Sequence, residues 1–108
     1  MSATQTAPTF FGRPVTGEYE VLSQTILDGI ELYMSRKVPP GGFLRAMLVN
    51  APVHTVLACA DPQNQRTLKQ ISLFIHNRIP SGIWGSEAKV NKFLSEGEPF
   101  ADWDWSRA

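Results

Sequence analysis

Two histidines, His54 and His76, and a single cysteine, Cys59, are the side chains of this 108-residue chain best suited to nucleophilic or metal chemistry. A thiolate nucleophile needs a base in hydrogen-bond contact and a third group to orient that base. His54 and Cys59 lie five positions apart, which on one helix turns them about 140° from each other at the ~100° step of 3.6 residues per turn. That angle disfavours a thiol enzyme and leaves Cys59 to read as a small buried hydrophobe. Positions 54, 59 and 76 match no compact ligand spacing, so no metal site is expected. Asp61 could join them, but its place before Pro62 is already explained by helix capping. Carboxylates pair up as Glu18/Glu20, Asp28/Glu31 and Asp102/Asp104. Those of the first helix fall on its outer face and read as solvated charges. Acids, bases and a nucleophile are nowhere collected, so the chain is expected to be no enzyme and to need no cofactor.

Binding chemistry is better represented. Trp84-Gly85-Ser86 sets a flat ring beside the start of an expected helix, with Lys89 and Lys92 one and two turns on. Such a corner can stack a base and hold a phosphate, although Trp84 also reads as a core or lid residue. With the cations of the middle segment it forms a candidate site for an anionic nucleotide: Trp84 stacking, and Ser86, Arg45, Arg66 and Lys89 meeting phosphate. Pro39-Pro40-Gly41-Gly42 lacks the spacing of a nucleotide-binding glycine loop and reads as a helix–helix turn. Phe10 and Phe11 near the start, and Trp103 and Trp105 in an acidic tail, are candidate partner-binding aromatics, since aromatics dominate interface hot spots. They read equally as groups that fold back on the body.

Charge separates along the chain. Ten basic and ten acidic residues cancel, which argues against a bulk nucleic-acid coat. By segment, residues 1–15 carry +1, 16–35 carry −4, 36–95 carry +6 and 96–108 carry −3. A basic centre between acidic ends can attract an anion or bind a second copy of itself, so a homo-oligomer is expected. A helix-turn-helix DNA reader needs a turn of about three to four residues. The break from about Ile79 to Ser86 is twice that, which makes DNA the weaker alternative.

These groups must be carried by helices. Tyr19, Leu22, Ile26, Ile30 and Tyr33 step by three or four, with Val21, Leu27 and Met34 widening the stripe. Thr16 is the expected N-cap, and Pro39-Pro40 the stop. A second helix is expected through Phe43 to Val49, interrupted at Asn50-Ala51-Pro52, and a short third from Val53 to Ala60, where so short an apolar run also allows a strand. Asp61-Pro62 opens a fourth that runs to Ile79, and Ser86-Glu87 opens the last. The expected architecture is all-α: a single-domain bundle of four to five short helices at residues 16–96, a mobile arm at 1–15 and an acidic, Trp-containing tail at 97–108. At 12.0 kDa, folding takes roughly 17,400 Å² of extended surface to roughly 6,000 Å², enough for one core without staples. A lone cysteine excludes an internal disulfide, the first residues show no secretory pattern, and no apolar run reaches the ~18 residues of a membrane span.

The order PGGFL at 40–44, Asn50, Ala60-Asp61 with Asn64, FIHN at 74–77, Pro80 and WGS at 84–86 resembles a group of small proteins encoded by tailed phages and prophages. Where that group has Asn-Asp-Leu, this chain has Asn50-Ala51-Pro52. The resemblance implies a context: a non-catalytic accessory protein in the cytoplasm of a bacterial host. Such a protein would antagonise a host defence system by occupying a defence protein or sequestering a signalling nucleotide. A nucleic-acid-binding regulator using the basic middle segment, and an assembly protein, are the alternatives.

Overall fold

The computed structural model describes residues 7–107. Among them, six α-helices follow a short two-stranded ladder: β1 (Thr9–Phe10), β2 (Arg13–Pro14), α1 (Gln24–Arg36), α2 (Gly42–Leu48), α3 (Val53–Cys59), α4 (Pro62–Arg66), α5 (Leu68–Arg78) and α6 (Glu87–Glu96). No helix of the described residues is long and apolar enough to cross a membrane.

The segment read as a mobile arm is instead a docked hairpin from Pro8 to Val15. Residues 1–6 of that expectation lie outside the described residues. Strands β1 and β2 pair antiparallel, Thr9 opposite Pro14 and Phe10 opposite Arg13. Phe11 and Gly12 make the turn with φ of 51° and 76°, the positive pair that a tight two-residue hairpin demands. The hairpin docks because Phe10 and Val15 are fully withdrawn from water. Polar contacts fix its register on α1. The Gln24 carboxamide accepts from Thr9 N–H at 2.9 Å and donates to Thr9 C=O at 2.8 Å. Glu31, expected to be merely solvated, accepts from Phe11 N–H at 2.6 Å.

The first helix begins later than its apolar stripe. Gly17 holds φ +73°, outside the helical region, and residues Gly17–Tyr19 form a separate 3-10 turn. Ser23, not Thr16, caps α1, its hydroxyl accepting from Ile26 N–H at 3.2 Å. Val21 therefore falls outside the helix and is exposed, whereas Tyr19, Leu22, Ile26, Ile30 and Tyr33 are buried as their spacing requires. At the far end Lys37 takes the left-handed conformation, φ 55°, and its ammonium donates to the Gly97 carbonyl at 2.9 Å.

The expected fourth helix is two helices, α4 and α5, divided at Thr67. Its hydroxyl bonds back to the Gln63 carbonyl at 3.0 Å, the i to i−4 contact by which threonine bends a helix. Capping at the other starts follows the sequence. Asp61 accepts from Asn64 N–H at 2.8 Å and Ser86 from Lys89 N–H at 3.1 Å.

Phe74 of α5 centres the core. Phe10, Tyr19 and Trp105 approach it at centroid distances of 5.2, 5.3 and 5.9 Å. Trp105 belongs to the acidic tail, which lies back on the body through a closing 3-10 turn at Trp105–Arg107. Its indole N–H donates to Phe10 C=O and that of Trp103 to Arg78 C=O, both at 2.7 Å. Thus Phe10, Phe11, Trp103 and Trp105, candidate partner-binding aromatics, pack against their own chain. The physical reason is that each indole N–H finds a carbonyl there while its ring leaves water.

Candidate functional site

An open groove of about 520 Å³ lies between α2, α3 and α5. Its existence follows from how α3 is held. Helix α2 ends at Leu48; two residues on, Asn50 turns the chain with φ of +61°, and Pro52 caps α3, which starts alongside α2. Asparagine tolerates this left-handed position better than other non-glycine residues. Only Val56 of α3 is buried; the remaining side chains of the helix are exposed, Val53 at 66% and Leu57 at 41%. Helix α3 thus roofs one side of the groove without closing it.

The opposite wall is one face of α5. Leu68, Lys69, Ser72, Ile75 and His76 line it, a set separated by one, three, three and one positions, as one helical face requires. Met47, Val53 and Val56 supply the apolar wall. Trp84 closes the end, its ring 4.5 Å from that of His76 at an interplanar angle of 62°. Two bonds fix it there. The indole N–H donates to Ile79 C=O at 3.0 Å, and Gly85 N–H donates to the Leu48 carbonyl at the end of α2 at 2.7 Å. Gly85 has φ +109°, a conformation L side chains rarely adopt, which explains the glycine after Trp84.

Of the five residues expected to form the anion site, only Trp84 lines this groove. Ser86 Oγ is engaged as a helix cap. Arg45 donates to Asn91 Oδ1 at 3.0 Å and lies 4.0 Å from a Glu87 carboxylate oxygen. The Lys89 ammonium donates to Ser81 C=O at 3.3 Å. Arg66 is exposed at the end of α4, off the lining. The site is carried instead by Asn50, Lys69, Ser72 and His76. A signal for three of them was present in the sequence: Lys69, Ser72 and His76 recur at spacings of three and four beside the apolar positions of α5. Asn50 joins them only through the fold.

Neither Cys59 nor His54 is drawn into the groove. Both are exposed on α3, so the reading of Cys59 as a buried hydrophobe is corrected. The short α3 buries one side chain, and that is Val56. Among the described residues no group of three or more His, Cys, Asp or Glu side chains could hold a metal ion. The groove thus offers stacking, apolar contact, one ammonium and a few hydrogen-bonding groups. The chain matches no family model, no curated protein and no solved structure.

Proposed function

We propose that this chain works by binding, capturing a small anionic ligand in the groove between α2, α3 and α5. The observation that supports the reading is the junction of a half-buried, rigidly held Trp84 with a cation, Lys69, on one open 520 Å³ surface. Ligand sites of about 300–1,000 Å³ with mostly apolar walls and a few convergent polar groups are the usual form of small-molecule pockets. In the phage setting that the motif order resembles, such a binder is an accessory factor, and the consequence of capture is to withhold a small molecule from a host defence system.

Nucleic-acid binding through the basic segment is less well supported. Four of its eight cations are engaged within the chain. Besides Arg45 and Lys89, Lys37 bonds Gly97, and Arg78 lies 5.6 Å from the Tyr19 ring centroid and bonds Trp105 C=O at 3.4 Å.

The test is a fragment screen by ligand-observed NMR against the full chain and against Ser72→Trp, which fills the groove from α5. Acidic aromatic fragments should bind the native chain and lose saturable binding in Ser72→Trp. Equal binding to both proteins, with Ser72→Trp folded by circular dichroism, excludes the groove as the site.

A further inference from the structure

Given that the groove is a small-ligand site, we infer that its ligand class is a flat aromatic monoanion, an aryl carboxylate, and not a polyphosphate nucleotide. Charge decides between them. Lys69 is the sole ammonium or guanidinium on the lining, and no carboxylate joins it. Among the described residues it forms no ion pair. One cation balances one negative head group. A polyphosphate would bring further charges with no counterpart, because Arg45 faces Asn91 and Glu87, Lys89 is bonded to Ser81, and Arg66 is off the lining.

Polarity points the same way. Met47, Val56 and Leu68 present apolar surface to the bound molecule. A ribose packed on these three side chains would lose water from the hydroxyls that face them, an unfavourable exchange. An aromatic ring loses nothing polar against the same wall.

Length fixes the orientation. Lys69 and His76 stand seven residues apart on α5, about 10 Å along the axis at ~1.5 Å per residue. A carboxylate held by Lys69 and Ser72 therefore lets a fused bicyclic ring extend along the groove to the His76–Trp84 end. There the Trp84 ring, oriented by its bond to Ile79 C=O, meets an aromatic guest edge-on or offset.

The experiment is calorimetric titration of the full chain with 2-naphthoate, its neutral isostere 2-naphthalenemethanol, AMP and ATP, repeated on Lys69→Gln. Lys69 is exposed, and circular dichroism checks that the substitution leaves the helices intact. The expected result is one 2-naphthoate per chain, bound about tenfold more weakly by Lys69→Gln, with the neutral alcohol weak and indifferent to the substitution. Tighter binding of AMP or ATP than of 2-naphthoate overturns the ligand class while leaving the groove a small-ligand site. Equal affinity for the alcohol, or no effect of Lys69→Gln, overturns the monoanion. If none of the four binds, the small-ligand reading of the groove falls with it.

Discussion

The Trp105 indole N–H donates to the Phe10 carbonyl at 2.7 Å, joining residues 95 positions apart and sealing the hairpin and the tail over the Phe74 ring. The tail is therefore a structural part of the core, and its loss should be felt as stability.

Replacing Trp105 with Ala removes a buried indole from a site lined by Phe10 and Phe74. The expected cost is about 3–5 kcal/mol, read as a lower urea midpoint. Ending the chain at Gly97 should destabilise at least as much and leave the number of chains per particle unchanged by light scattering. A truncated chain of unchanged urea midpoint and fewer chains per particle would show that the tail joins copies instead.

Tyr33 is fully buried and its hydroxyl donates to Ile83 C=O at 2.6 Å. Tyr33→Phe should cost about 1–2 kcal/mol by leaving that carbonyl unpartnered. Burial also pushes the phenol up from 10.0 to about 12. The unfolded chain ionises first, so this contribution is whole below pH 10 and is lost as pH rises towards 12. Urea midpoints measured between these limits should fall more steeply for the native chain than for Tyr33→Phe.

Gly97 ends α6 where a methyl group has no room. A Cβ there would stand 2.8 Å from the Phe93 carbonyl oxygen and collide with the Phe93 ring. Gly97→Ala should therefore lower stability by about 1–3 kcal/mol and disturb the Tyr33–Phe93 pair, whose centroids are 5.0 Å apart. Gly82→Ala, where a Cβ meets open space, serves as the control and should be close to neutral in thermal melts.

Arg13 anchors the tail, donating to Asp102 at 3.1 and 3.2 Å and to the Trp103 carbonyl at 3.1 Å. Its hydrogen bond holds the Asp102 carboxyl below the usual range, and its charge adds to the effect. The carboxylate's contribution is present above the ordinary carboxylate pKa and lost as pH falls through the lowered value. The pair is exposed, so the effect is small and salt-sensitive. Hydrogen exchange of residues 102–105 should quicken in acid in the native chain, relative to its intrinsic rate, and show no such acid dependence in Asp102→Asn.

Much of this architecture can be read from residue order. The stripe from Tyr19 to Tyr33 lies in the core because period and hydrophobicity agree along that stretch. Asp61-Pro62 and Ser86-Glu87 start helices for local reasons, a side-chain oxygen meeting an N–H three residues on. Boundaries set by backbone angle were less visible. Gly17 breaks the stripe into a 3-10 turn and α1 although its apolar spacing runs on, and Thr67 divides the polar α4 from α5.

Of the residues expected to form the site, Trp84 alone lines the groove, although Lys69, Ser72 and His76 share one helical face in the sequence. Arg45, Ser86 and Lys89 are near Trp84 in sequence or sign, but each finds an intramolecular partner first, and nothing in the order of residues reveals that competition. Local order is enough for the caps at Asp61 and Ser86 and for most of the apolar faces, because those depend on contacts within about four residues. Long-range closure is what puts Phe10 and Trp105 in one core, leaves Lys69 on a groove with no carboxylate on its lining, and keeps that groove open between α3 and α5. Those outcomes depend on which distant groups satisfy one another when the chain closes.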